Sequence, residues 1–215
     1  MDQKLFRNDK GEIKNILSEI EGYQYQDSPL DFFIILARYK FAARHLRKNM
    51  HVLDAGCGHG LGSVFLSKFS KSVVGGDFDE EMVKRNQQTY SSVENLNFDK
   101  LDLRNIGKHQ EQYDAVVSMD VIEHFEKEEV QKISNNYANL LKNNGFAIIG
   151  TPNIASQPFA SERRKASHPF EFTPNEFEET LRSSFSNVFT FSMTDEIVST
   201  GFAKLSWYLM AICVK

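Results

Sequence analysis

Asp54, Asp77 and Asp102 each fall at the end of an apolar run, in "HVLDA", "SVVGGD" and "LNFDKLD". Between the first two lies "GCGHGLG", with glycine at 56, 58, 60 and 62. Glycine lets a chain fold tightly and lets bare backbone approach a ligand. Asp77 follows Gly56 by 21 residues, a spacing at which an acid accepts hydrogen bonds from both ribose hydroxyls of a nucleoside. The dinucleotide pattern G-x-G-x-x-G is not met, because its sixth position is Leu61 or Ser63. Asp54 also puts negative charge where a pyrophosphate would lie. That disfavours NAD and favours a cationic ligand carrying an ammonium group. Asp102 can accept from an adenine amino group while the Leu103 backbone donates. The plainer alternatives are a tight strand-to-helix turn and a cap on the chain from Arg104 onward.

Two further stretches hold groups that move protons. "SMDVIEHF" contains Asp120, Glu123 and His124, and "ASHPFEF" contains His168 and Glu171. Histidine titrates near pH 6.5, well placed for general base work at neutrality. His124, His168 and Glu171 are therefore the catalytic candidates; the alternative for Glu123-His124 is that it braces a loop or touches a cofactor. His168 precedes a proline, which favours extended backbone. Asp120 and Glu123 could bind a divalent ion, but two acids and a histidine this close in sequence are more often coincidental, so no metal is expected.

The surrounding chain alternates between strand and helix patterns. Strands are expected at 50–55, 71–77, 95–102, 113–119 and 145–151. Helices are expected at Leu61–Phe69, Asp79–Tyr90 and Glu126–Leu141, the last stopped by Gly145. Such alternation implies parallel βαβ units with right-handed crossovers. Ligands then bind beyond the carboxyl ends of the strands. An earlier helix begins at "SPLDFF", capped by Ser28 or Asp27 with Pro29 in its first turn, and a shorter one covers Ile13–Ile20. Beyond the fifth strand, 152–173 is too long for a simple connector. A helix from Pro174 to Phe185 and two strands, 187–193 and 207–215, complete the chain. With only "TDEIVSTGFAKLS" between them, those strands should pair antiparallel at the sheet edge.

The chain has 215 residues, of which 41% are hydrophobic and 25% charged, with a net charge of −4. Those values suit a soluble domain with a real core. Nucleic-acid binders carry a basic face; here the tight cationic cluster is Arg163-Arg164-Lys165, read as a solvated loop. No apolar run reaches bilayer length, and the N-terminus lacks a signal-peptide core. Cys57 and Cys213 form no disulfide framework or zinc pattern. A cytoplasmic protein without nucleic-acid or membrane partners is expected.

Taken together, "VLDAGCGHG", "VVGGDFDEEMV", "FDKLDL" and "YDAVVSMDVIEHF" resemble class I S-adenosylmethionine-dependent methyltransferases, from Arg38 to about Gly150. The resemblance implies an α/β, Rossmann-like, seven-stranded mixed sheet of order 3-2-1-4-5-7-6, the last strand antiparallel, with helices on both faces. It implies one domain over 1–215: a helical cap at 1–48, a cofactor-binding core at 49–151, an acceptor lid at 152–173, and a helix with β-hairpin at 174–215. It assigns S-adenosyl-L-methionine as cofactor, with Gly56, Gly58 and Gly60 along its methionyl part. By the same resemblance Asp77 binds the ribose, Phe78 stacks on adenine, Asp102 holds the adenine amino group and Met119 lines the sulfonium pocket. Arg38, in "RYKFA", would pair with the cofactor carboxylate.

The motifs that grip a flipped base, N-P-P-Y or D-P-P-Y, do not occur after strand four, nor does a Pro-Cys nucleophile. The acceptor is thus expected to be a small molecule; an anionic or nucleotide-activated one, as a further resemblance implies, would give Arg163, Arg164 and Lys165 a purpose. The segment from "SHPFEF" to "VSTGF" is similar to bacterial methyltransferases associated with surface-polysaccharide biosynthesis. That similarity implies O-methylation of an activated sugar-like intermediate by a monomer or homodimer. The alternatives are N-methylation of a small metabolite, an NAD-dependent oxidoreductase, and a non-catalytic cofactor-binding protein.

Overall fold

The structure is a computed structural model that describes residue 26 and residues 28–215. The expected helix at Ile13–Ile20 and the cap at Asp27 lie outside the described residues. The strands are β1 His51–Ala55, β2 Ser72–Asp77, β3 Leu96–Lys100, β4 Tyr113–Met119, β5 Leu141–Pro152, β6 Asn187–Thr194, β7 Ile197–Ser199 and β8 Tyr208–Val214. The helices are α1 Pro29–Ala43, α2 Leu61–Ser67, α3 Glu80–Thr89, α4 Val130–Leu140, α5 Glu162–Ser167 and α6 Pro174–Arg182.

All eight strands join one sheet, in the order β3-β2-β1-β4-β5-β8-β6-β7. From β3 to β5 the pairing is parallel. β8 enters antiparallel between β5 and β6. The order is the expected one with a strand added at the edge. Ile197–Ser199, read as connector, pairs with Ser192–Thr194 as β7. Its turn is made by Asp195, which takes a positive φ of 57°. Three residues, Ile197-Val198-Ser199, between Glu196 and Thr200 carry too little apolar alternation to announce a strand.

Alternation along each strand sends neighbours to opposite faces. Leu53, Val116 and Ile149 pack with Ile133 and Tyr137 of α4 and Phe177 and Leu181 of α6. Val52, Val117 and Ile148 pack with Ala37 and Ala42 of α1, Leu66 of α2 and Val83 of α3. Helices therefore cover both faces, and burial on both sides explains the near-continuous apolar strands.

Several boundaries differ from expectation for identifiable reasons. α3 starts one residue late because Asp79 is its cap, accepting from the backbone N–H of Glu81 and Met82. Helix α4 begins at Val130, not Glu126, and ends at Leu140. Gly145 then lies inside β5 rather than stopping a helix, and the tight turn falls on Asn144 with φ 64°. β3 ends at Lys100, so Asp102 sits beyond the strand in a turn bridged to Asn105. Ser28 makes no side-chain cap to α1; its hydroxyl donates to Asp31 instead. The 152–173 segment contains a 3-10 turn at Ile154–Phe159 and α5.

α1 and α2 meet where the glycine turn begins. A Cβ on Gly62 would overlap the buried Tyr39 ring. Gly62→Ala is therefore expected to cost about 1–3 kcal/mol through overpacking. In a chain of this size that lowers Tm by roughly 3–10 °C, readable by differential scanning fluorimetry.

Candidate active site

β1 delivers Asp54 to the floor of the glycine turn. Its side chain is fully buried, and its two carboxylate oxygens accept from the Tyr39 hydroxyl at 3.2 Å and the Ser63 hydroxyl at 2.6 Å. Asp54 thus ties α1 and α2 to the strand. Burial pushes its pKa up to about 7, against the two hydroxyl donors. An acid whose folded pKa is raised above the unfolded value stabilises fully below the unfolded pKa near 3.8 and loses that contribution as pH rises through about 7. The protein should therefore lose about 2–4 kcal/mol of stability between pH 4 and pH 8 from this group alone. Asp54→Asn keeps a hydrogen-bonding amide there and is expected to flatten that slope. Urea unfolding at a series of pH values measures it.

Above Asp54 the turn takes positive φ at Gly56, Gly58 and Gly60, the last of these immediately preceding α2. A Cβ at Gly58 would meet nothing within 4 Å, so the backbone there faces open space, whereas at Gly56 and Gly60 it would meet Val121 and Phe98. The loop is clamped from behind. The amides of Gly56 and Cys57 donate to the Gly76 carbonyl, and the Asn86 side chain donates to the Gly58 carbonyl at 2.6 Å.

β2 ends in Asp77, which is 8% exposed. Its carboxylate accepts from the Gly58 N–H at 2.9 Å and the Asp79 N–H at 3.0 Å. Each carboxylate oxygen keeps a further lone pair, so Asp77 can shape the turn and still take ribose hydroxyls. Phe78, next in sequence, is 75% exposed. An apolar ring in water beside an acid is a ready stacking surface. Asp102 is exposed and accepts the Arg104 N–H at 2.8 Å, the capping role weighed against adenine binding. Leu103 is buried, and its carbonyl accepts from Asn136.

On the other side of β1, β4 ends in Met119, whose sulfur lies 4.0 Å from the Tyr208 hydroxyl. Asp120 follows with a positive φ of 58° and forms an ion pair with Arg38. The Arg38 guanidinium lies 3.7 Å from the centroid of the Tyr208 ring, and its Nε is buried without a hydrogen-bond partner. Arg38 and Asp120 border a cavity of about 1010 Å³ that extends under the lid to Arg163, Arg164, His168, Trp207 and Tyr208. The crevice has an acid for a ribose, an open glycine backbone, an exposed ring and a buried cation with an unmet donor. These residues fit S-adenosylmethionine.

The 152–173 segment brings proton-handling groups together. His168 Nδ1 lies 2.8 Å from Glu171 Oε1, and Arg164 Nε donates to the same oxygen at 2.9 Å. Arg164 also reaches the Ser156 hydroxyl at 2.7 Å. The Arg163-Arg164-Lys165 cluster is thus helical rather than a solvated loop; Arg164 is a strut, while exposed Arg163 borders the cavity. Burial lowers the His168 pKa, with the Glu171 hydrogen bond pulling the other way. His124 Nδ1 donates to the Ser167 carbonyl at 2.7 Å, and its ring meets that of His168 edge to face, 4.8 Å between centroids. Glu123, fully buried, accepts from Thr151 at 2.9 Å. Burial and the nearby charge of Asp120 hold its carboxyl well above the usual carboxylate range.

Sequence reasoning missed the Tyr39 and Ser63 anchors of Asp54, the Arg164 strut, and Trp207 and Tyr208 at the cavity. Tyr39 lies on α1, and its hydroxyl partner Asp54 lies on β1, 15 positions further along the chain.

Residues 52–145 match a family model described as a methyltransferase domain. The chain is 32% identical over 108 residues to a ubiquinone biosynthesis O-methyltransferase of Coxiella burnetii, a match covering 49% of this chain and 45% of that protein. The chain therefore spans less than half the length of that relative. Among solved structures, a TehB-like SAM-dependent methyltransferase of Corynebacterium glutamicum superposes with a TM-score of 0.65 at 19% identity, covering 83% of this chain and 87% of that one. A SAM-dependent methyltransferase of Thermotoga maritima gives 0.68 at 16% identity, covering 92% and 96%. Such identities establish the fold alone. The family match and the fold agree: residues 52–145 are similar to a methyltransferase domain, on the fold of S-adenosylmethionine-dependent methyltransferases.

Proposed function

We propose that the chain transfers a methyl group from S-adenosylmethionine to an oxygen of a small anionic acceptor, such as a nucleotide- or phosphate-linked sugar-like intermediate. The observation that carries this reading is His168. It is oriented by Glu171 at 2.8 Å, and it borders the same cavity as Arg38 and Asp120 below the cofactor crevice. The name of the Coxiella relative, an O-methyltransferase, points the same way for the methylated atom.

Asp77, the glycine turn and Phe78 would hold the adenosine, with Asp102 and Leu103 beyond β3 at the adenine. Arg38 would hold the carboxylate, and Met119 would line the pocket near the sulfur. Bound S-adenosylmethionine supplies a methyl group made electrophilic by its positively charged sulfur. The protein must fix the acceptor about 3 Å from that carbon and exclude water, an effect worth up to about 7–11 kcal/mol. The lid segment from Ile154 to Ser167 closes one side of the cavity, and Trp207 and Phe159 supply apolar rings at its mouth. Arg163, exposed at the rim, can meet an anionic group on the acceptor.

A sugar hydroxyl is a poor nucleophile until its proton leaves. With Nδ1 of His124 donating to the Ser167 carbonyl and Nδ1 of His168 donating to Glu171, each ring keeps a lone pair on Nε2. His168 is the ring on the cavity, and it can accept that hydroxyl. Surface-polysaccharide biosynthesis remains the setting this acceptor chemistry suits, on the sequence similarity of the segment after His168. No helix among the described residues is long and apolar enough to cross a membrane.

The test is turnover of the purified chain with S-adenosylmethionine and a panel of nucleotide sugars, sugar phosphates, phenols and amines, read as a 14 Da mass gain in the acceptor. Methylation of sugars on oxygen supports the proposal. Exclusive methylation of amines replaces it with the N-methyl alternative.

A further inference from the structure

We propose that Glu123, His124 and His168 bind one divalent transition-metal ion at the margin of the acceptor cavity. One carboxylate oxygen and one ring nitrogen from each histidine lie within 4.8 Å of one another. Donors on a four-coordinate ion with bonds near 2.1 Å stand roughly 3.4 Å apart. Small side-chain rotations of the exposed His124 and of His168 on the lid close that difference.

Two independent features point to a ligand here. Glu123 Oε1 is buried and has no hydrogen-bond partner, while Oε2 is held by Thr151. An unpartnered buried carboxylate oxygen is costly, and a cation satisfies it. The two rings are also held as metal-binding imidazoles are. Each Nδ1–H donates to an oxygen, the Ser167 carbonyl or Glu171, which fixes the tautomer and leaves the Nε2 lone pair for an ion. Two imidazoles and one carboxylate suit Zn²⁺, Co²⁺, Fe²⁺ or Mn²⁺ better than the hard ions Mg²⁺ and Ca²⁺.

Three protein donors leave coordination positions open. Resting on the methyl-transfer reading, an open position would take the acceptor hydroxyl oxygen and lower its pKa. The O–H bond then breaks with its electron pair staying on the metal-held oxygen and its proton passing to solvent water. In this arrangement His168 serves as a ligand, and hydroxyl activation no longer needs it as a base. An acceptor with two adjacent oxygens would chelate best.

The test uses the full, untagged chain stripped with a chelator and titrated with Co²⁺, followed by visible absorption, with Zn²⁺ and Mg²⁺ titrated by calorimetry. The expected result is one Co²⁺ and one Zn²⁺ per chain, with Mg²⁺ at least tenfold weaker. Glu123→Gln and His168→Ala should each weaken Co²⁺ at least twentyfold, and Lys165→Ala should not. Circular dichroism and S-adenosylhomocysteine binding report whether each variant folds; should buried Glu123→Gln not fold, His168→Ala on the lid decides. Absence of saturable Co²⁺ binding, or equal affinity in His168→Ala, overturns the site. Full methyl transfer in excess chelator by a chain that binds no Co²⁺ overturns the site and leaves the methyl-transfer reading standing. Stoichiometric metal with no acceptor methylated does the reverse.

Discussion

Asp77→Ala is expected to weaken S-adenosylhomocysteine binding at least tenfold, about 1.4 kcal/mol, and as much as about 100-fold. Two losses combine. The ribose hydroxyls lose a charged acceptor, and the Gly58 and Asp79 amides lose the oxygens that hold the turn in shape. Asp77→Asn separates them. Its single carbonyl oxygen can keep one of the two amide bonds but cannot serve both amides and a ribose, so an intermediate loss is expected. Calorimetry with S-adenosylhomocysteine measures all three proteins. Unchanged affinity in Asp77→Ala would remove the ribose assignment, and with it the orientation of the adenosine across the tips of β2 and β3.

The strand tips were legible because their signals are local. Each apolar run carries its acid within a few residues, and the glycine turn is contiguous, so the strand tips follow from spacing, while the sheet order followed from the family resemblance. The partners of those acids were not legible. Asp54 was readable as a charge, but Tyr39 and Ser63 reach it from α1 and α2 and no spacing rule joins them. Through them Asp54 ties three elements together. Asp102 shows the opposite case. Its local alternative, a hydrogen bond to Arg104 N–H two residues on, was visible in the sequence and is what the turn contains.

The lid was the least legible part, for a physical reason. His168 meets His124 from 44 positions further along the chain, and Arg164 meets Glu171 through a short helix that no periodicity announced. Loops place side chains by chain-specific turns and caps, here Ser161 and Asn153, instead of by a repeating face. Candidate residues could be named from their type, but not who faces whom. The geometry turns Asp120 toward Arg38 and Glu123 toward Thr151, a division that the contiguous string "DVIEH" did not contain.

His168→Ala is expected to lower kcat about 100-fold, within the range typical of a lost acid–base or activating group. Affinity for S-adenosylhomocysteine should stay within about threefold, because His168 lies on the lid side of the cavity, away from Asp77 and the glycine turn. Glu171→Gln should cost about tenfold in kcat, since the ring remains but its orienting carboxylate is replaced by a weaker acceptor. The pair of measurements is informative in either direction. A fall in kcat with unchanged cofactor affinity places His168 at the acceptor, whether it takes the proton or holds an ion that does the activating. Wild-type turnover in both variants would mean the acceptor arrives with its own nucleophile, an amine or an already ionised oxygen. The Glu171–His168–His124 arrangement would then be a brace for the 152–173 segment, and an amine acceptor would replace the proposed reading with N-methylation, while an ionised oxygen would keep O-methylation without His168 as base.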